Sequence, residues 1–132
     1  TSQPGHLIDF MATALDAAGA KYPDQAAGHA VTPLQGKSLL PIFAGKERSP
    51  HDYLDFQFSN NRAIRQGDYK LVSARGGPWE LYDVNVDPTE LNNLIQAKPD
   101  LAEGLVARWA AWAERVGVQN VERLSRLDTS PP

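Results

Sequence analysis

Residues able to do chemistry are few and scattered in this sequence. The three histidines, His6, His29 and His51, have neither the HxxxH nor the HExxH spacing that sets two imidazoles around a metal on one helix face. His6 and Asp9 stand three residues apart, close enough to share one side of a helix. That pair reads as a cap or a buried hydrogen bond before it reads as a metal or catalytic pair. A GxSxG nucleophile elbow and a phosphate-cradling glycine loop are both missing, and Gly36-Lys37-Ser38 copies the end of a P-loop without its leading glycine. There is no cysteine, which excludes a disulfide, a thiolate metal site and a cysteine nucleophile within this chain. No residue is therefore assigned a catalytic or metal-binding role.

Two weaker features remain. Arg62, Arg65 and Lys70 fall on neighbouring strand segments and could steer an anionic substrate, although such residues are more often the solvated face of a sheet. Trp79, beside a glycine-rich turn, is left open for stacking on a sugar or aromatic ring. Trp109 and Trp112, at helical spacing, read as core.

The elements that would position these residues follow from periodicity. From His6 to Ala18 the polar residues Asp9, Thr13 and Asp16 form one narrow stripe, and the rest of the cylinder is apolar, with Gly19 as the C-terminal cap. A helix apolar nearly all round has to be buried on most sides, more than a chain this short can provide, so the helix is expected to belong to a larger body. Residues 21–50, punctuated by Pro and Gly, read as a long irregular belt with one apolar anchor at Leu39, Leu40, Ile42 and Phe43. Leu54, Phe56 and Phe58 then alternate with Tyr53, Asp55 and Gln57, the period of a half-buried strand. Arg62–Arg65, Tyr69–Ser73 and Trp79–Asp83 follow across tight turns, predicting an antiparallel meander with one wet face. Asp87-Pro88-Thr89-Glu90 has the form of a helix start. A longer helix is expected from Pro99 to Val116, its stripe Leu101, Leu105, Trp109, Trp112 and Val116 covering the apolar face of the meander.

The fold class read from this pattern is α+β: a four-stranded antiparallel sheet packed against a C-terminal helix, preceded by a helix and a long loop. The expected divisions are 1–50 for the helix and loop, 51–118 for the sheet and helix, and 119–132 for a peripheral tail. With 13 basic and 16 acidic residues among 132 and a net charge of −3, nothing favours nucleic acid. No apolar run approaches the roughly 20 residues of a membrane span. The chain opens at Thr1-Ser2-Gln3-Pro4-Gly5 without an initiator Met and reads as a segment starting within a protein.

Three segments resemble the C-terminal portion of sulfatases of the arylsulfatase-like kind, in the alkaline phosphatase superfamily. His6-Leu7-Ile8-Asp9-Phe10-Met11-Ala12-Thr13-Ala14-Leu15, running on to Ala18-Gly19-Ala20, is similar to the family's H-x-x-D-x-x-P-T-L-L helix and A-G turn, with Ala12 where proline is usual. Leu34-Gln35-Gly36-Lys37-Ser38-Leu39-Leu40-Pro41 is similar to D-G-x-S-L-L-P, with Gln35 in place of the acid. Asn61-Arg62-Ala63-Ile64-Arg65-Gln66-Gly67-Asp68-Tyr69-Lys70-Leu71-Val72 resembles the N-R-A-x-R-x-G-x-W/Y-K-L strand pair. Trp79-Glu80-Leu81-Tyr82-Asp83 and Asp87-Pro88-Thr89-Glu90-Leu91-Asn92-Asn93-Leu94 follow, similar to E-L-Y-D-L and D-P-x-E-x-x-N-L.

The resemblance implies a parent enzyme that hydrolyses aryl or sugar sulfate monoesters to an alcohol and sulfate. Its large α/β N-terminal domain would carry a formylglycine, made from Cys or Ser, and a calcium ion, and residues 1–50 would close that domain. None of those catalytic parts maps onto this chain, so no cofactor is expected here and the chain alone is not expected to be active. Its expected partners are the catalytic domain and an anionic sulfate-ester substrate, with self-association through exposed apolar surface. Asn61 and Arg62, at the first turn of the meander, are the candidates for the substrate rim. The family's bacterial members suggest a periplasmic or secreted location. Two alternatives stay open: a phosphate or phosphonate ester hydrolase of the same superfamily, and a free-standing binding or assembly module.

Overall fold

The computed structural model describes residues 1–119. The chain divides into two compact units, Thr1–His51 and Asp52 onward. The tail expected at 119–132 falls almost wholly outside the described residues.

The first unit is built on helix α1 (Asp9–Ala17). It is shorter than the span His6–Ala18, because residues 7 and 8 form a turn in which the backbone N–H of Asp9 bonds to the His6 carbonyl at 2.9 Å. Gly19 takes φ +62°, and the N–H of Ala20 returns to the carbonyl of Leu15 at 2.9 Å, closing the helix with a left-handed glycine cap. The belt is less irregular than its Pro and Gly content predicts. It holds a two-strand hairpin, β1 (Gln25–Ala26) and β2 (His29–Ala30), and one helical turn, α2 (Leu40–Phe43). Ala27 and Gly28 turn the hairpin with φ of +50° and +81°, the left-handed pair that a two-residue hairpin loop requires.

Gly36 explains why the second motif carries a glycine. A Cβ there would lie 2.0 Å from the Ile8 carbonyl oxygen and 2.6 Å from its carbon. Only a residue without a side chain lets this segment lie against the start of α1, so two distant motifs are in fact one contact.

In the second unit, β3 (Leu54–Phe58), β4 (Asn61–Gln66), β5 (Tyr69–Ser73) and β6 (Glu80–Asp83) form an antiparallel sheet in the order β3-β4-β5-β6. Helix α3 (Pro99–Arg115) covers one face. Ile64, Leu71, Leu81, Leu105 and Trp109 are each no more than 1% exposed and form the centre of the core, with Trp79 beside them. This α+β arrangement is the one the periodicity indicated.

Two expectations fail here. Asp87-Pro88-Thr89-Glu90 makes a turn, not a helix. The Asp87 carboxylate accepts the N–H groups of Leu91 and Asn92 at 3.2 and 2.8 Å, and Glu90 sits at φ +57°, which no right-handed helix can continue. The second failure is the face of β3. Asp55 pairs with Ile64, so Asp55 and Gln57 lie on the helix-covered side, while Phe56 and Phe58 are 41% and 80% exposed.

Asp55 thus enters a site with little to receive it. Its Oδ1 is buried without a hydrogen-bond partner among the described residues, and burial pushes the carboxyl up to about 7, the Arg115 guanidinium opposing. A folded-state value above the ordinary 3.8 means the fold favours the protonated form, so stability declines as pH rises from about 4 to about 7. Asp55→Asn removes that decline. In thermal unfolding it gains about 1 kcal/mol at slightly alkaline pH and little in acid, the figure discounted for partial solvent access. Equal gains at both pH values would refute this account.

Candidate functional site

Among the described residues each unit organises one polar cluster. In the first unit the cluster centres on Asp9, which is fully buried at 0% exposure. Its Oδ1 accepts the backbone N–H of Lys37 at 2.8 Å and the Nε2–H of His51 at 2.8 Å. Its Oδ2 accepts the backbone N–H of His6 at 2.9 Å and the Nη2 of Arg48 at 2.9 Å. Arg48 also donates to the carbonyls of Lys37 and Pro4, and its side chain is only 5% exposed. Thr13, one turn on, donates its hydroxyl to the Asp9 carbonyl and accepts the Leu39 N–H at 2.9 Å.

The His6–Asp9 pair is therefore joined by a part-buried hydrogen bond from the His6 backbone N–H to the Asp9 carboxylate, the capping kind of contact that its spacing allowed. Arg48 and His51 were not foreseen, because nothing in the spacing of residues 39 and 42 positions away links them to Asp9. Burial alone would raise the Asp9 carboxyl. Hydrogen bonds from Lys37, Arg48, His6 and His51 outweigh it and hold the group well below the usual carboxylate range. Burial lowers the His6 imidazole, Asp9 opposes, and His51 adds to the lowering. With N–H donors on both oxygens and a guanidinium against one, Asp9 does not fit a calcium ion, which takes oxygen ligands. Among the described residues no group of three or more His, Cys, Asp or Glu could hold a metal.

In the second unit the rim candidates sit where β3 turns into β4. Asn61 is exposed and ties the hairpin ends together: its Nδ2 donates to the Phe58 carbonyl at 3.3 Å and its Oδ1 accepts the Arg75 N–H at 3.0 Å. Both Asn61 and Arg62 line a trough of about 320 Å³, whose other walls are Phe56, Phe58, Ala63, Lys70 and Val72. Arg62 is 5% exposed, stacks 4.6 Å over the Trp79 ring and donates to the Gly77 carbonyl at 3.2 Å. Arg62, Arg65 and Lys70 do not make one positive patch. Strand alternation sends Arg62 to the opposite face from Arg65, and Lys70 bonds to Glu90. Trp79, left open for stacking on a ligand, is 1% exposed and meets Trp109 edge to face at 5.4 Å. It is core.

Comparison with known proteins gives the family. Residues 5–108 match the family described as N-sulphoglucosamine sulphohydrolase, C-terminal, and the chain belongs to that family of sulfatase C-terminal domains. An uncharacterised sulfatase of Schizosaccharomyces pombe is 31% identical over 119 residues, covering 85% of this chain and 22% of the relative. The N-acetylglucosamine-6-O-sulfatase of Bacteroides thetaiotaomicron is 29% identical over 102 residues, covering 67% of this chain and 17% of the relative. The chain thus spans about a fifth of these relatives' length. Among solved structures, Ps i-CgsB in complex with k-i-k-neocarrahexaose superposes with a TM-score of 0.70 at 18% identity, over 95% of this chain and 32% of that one. A second, in complex with its substrate D-glucosamine-2-N,6-O-disulfate, gives 0.58 at 24% identity, over 86% and 25%. At these identities the likeness is one of fold. No helix among the described residues is long and apolar enough to cross a membrane.

Proposed function

We propose that this chain is the non-catalytic C-terminal part of a hydrolase that cleaves sulfate monoesters of sugars to an alcohol and inorganic sulfate. The observation that carries the reading is the family match over residues 5–108, in a chain that has no cysteine. Residues 1–50 complete the catalytic α/β domain, and the sheet unit from 51 to 118 supports it. The nucleophile and a calcium ion belong to that domain, outside the cell's cytoplasm, and no step of the reaction is assigned to a residue here. The relatives' substrates, glucosamine derivatives in two cases, support a sugar sulfate over a simple aryl sulfate.

On this reading the β3–β4 turn contributes to the substrate rim through Asn61. Its amide is held in place by Phe58 and Arg75, and a positioned amide can orient a sugar hydroxyl. Arg62 acts behind it, stacked on Trp79, and keeps the turn in place. The test compares this chain with the polypeptide read from the same frame extended upstream of the Thr1 codon. The chain alone should not turn over 4-nitrophenyl sulfate, whereas the longer polypeptide should, and should lose activity on calcium chelation. Metal-dependent turnover by the chain alone would overturn the proposal. Faster cleavage of 4-nitrophenyl phosphate by the longer polypeptide would move it to the phosphate-ester branch.

A further inference from the structure

The two edges of the four-stranded sheet are finished differently. At β6 the chain closes its own edge: the N–H of Leu94 bonds to the Leu81 carbonyl at 2.7 Å, and the Leu81 N–H bonds to Asn93 Oδ1 at 3.1 Å. At β3 no further strand pairs among the described residues. The ladder's parity says what that edge presents. Phe58 and Asn61 flank a two-residue loop, so they, like Phe56 with Ala63 and Leu54 with Arg65, turn their backbone bonds toward each other. Asp55 and Gln57 therefore turn their N–H and C=O groups outward. Their side chains are unusual too. Asp55 Oδ1 and Gln57 Oε1 are buried without a hydrogen-bond partner among the described residues, where buried polar atoms normally have one.

We infer that β3 is the edge by which two copies of this chain pair, antiparallel about a two-fold axis at Phe56, so that two four-stranded sheets become one. The inference does not depend on the sulfatase reading. Three observations select a second copy and this register. With the axis at Phe56 all five residues of β3 overlap their counterparts, and the outward backbone groups of Asp55 meet those of the partner's Gln57. The same register sets Asp55 Oδ1 opposite Gln57 Oε1. Gln57 commits its Nε2 to the Ser59 carbonyl, so it presents an acceptor. The protonated Asp55 carboxyl, which burial favours, is the donor that acceptor lacks. On the other face Phe56, 41% exposed, meets its own copy, and Phe58, 80% exposed, meets Leu54. An axis at Asp55 would instead set two carboxyls face to face and leave Gln57 unmatched.

The test is the mass of the whole chain by sedimentation equilibrium over a concentration series, at about pH 6 and about pH 8.5, either side of the Asp55 titration. The charged groups beside Asp55 on its face are Arg62 of β4 and Arg115 of α3, and a guanidinium does not titrate in this range. The dimer should form at the lower pH. Its dissociation constant should rise at least about tenfold at the higher pH, where ionised Asp55 sets a carboxylate against an amide oxygen. Asp55→Asn keeps a donor throughout and should make the two constants equal. Phe56→Lys sets two ammonium groups against each other and should leave a monomer. The chain has no cysteine, so Phe56→Cys places one thiol at the axis. Under mild oxidation it should link two copies at least about tenfold faster than Phe58→Cys, whose thiols would lie too far apart. A monomer at every concentration at the lower pH, or a wild-type dimer indifferent to pH, would overturn the inference. So would a dimer that survives Phe56→Lys, or equal linking rates for the two cysteine variants.

Discussion

Asp9→Ala is expected to unfold the first unit while the sheet unit keeps its own transition. The substitution removes the acceptor of four hydrogen bonds and leaves the Arg48 guanidinium, 5% exposed, without its counter-charge. Breaking a buried pair by deleting one partner costs about 3–5 kcal/mol, comparable with the whole stability of a small domain. Asp9→Asn fares little better, because its amide nitrogen would set a donor against donors. Urea denaturation followed by circular dichroism should show the lower-stability transition lost in both variants. The pH dependence has a definite sign. A carboxyl held below its ordinary 3.8 contributes stability that is present above about pH 4 and is lost as pH falls. His6, lowered from 6.5, is favoured neutral in the fold, so its contribution also weakens as pH falls below about 6.5. The wild-type chain should therefore lose its first unit in acid. A variant at Asp9 as stable as the wild type at neutral pH would show that this cluster holds nothing together.

Trp109→Ala should be the most damaging change in the second unit. The indole is 0% exposed, meets Trp79 at 5.4 Å with the planes 68° apart, and donates its Nε1–H to the Phe56 carbonyl at 3.2 Å. Truncating a buried tryptophan costs about 3–5 kcal/mol. Trp109→Phe retains an aromatic contact and loses the hydrogen bond and some volume, for a cost of about 1–3 kcal/mol. The denaturation midpoint of the sheet unit should fall in that order. If the two variants were equally stable, the edge-to-face contact and the bond to Phe56 would carry no weight.

What the sequence revealed was whatever is decided locally. Tyr69–Ser73 is β5 as its flanking turns indicated, and the longer helix begins at Pro99, where a proline suits the first turn. The face of β3 was misjudged because alternation says which residues share a side, not which side is covered. Phe56 and Phe58 looked like the core side, yet their register against Ala63 and Asn61 puts them opposite the helix. The tetrapeptide at Asp87 carried the right residues for a helix cap. The fold uses the same carboxylate to close a turn at Leu91 and Asn92. The Asp9 cluster was legible only at its near end, in His6. Arg48 and His51 reach it from a loop with no period to read.

The donors around Asp9 also dictate an order of events. A helix of nine residues has too few turns to persist alone in water. The contacts that hold α1 come from Lys37, Arg48 and His51, the last 42 positions away. Closing a loop of that length costs about 3 kcal/mol of chain entropy before the His51 bond forms, and the Lys37 and Arg48 bonds need closures only somewhat shorter. The helix is thus the last thing the first unit can stabilise, not its nucleus. Its helical signal in a refolding experiment should rise together with closure of the loop and never ahead of it.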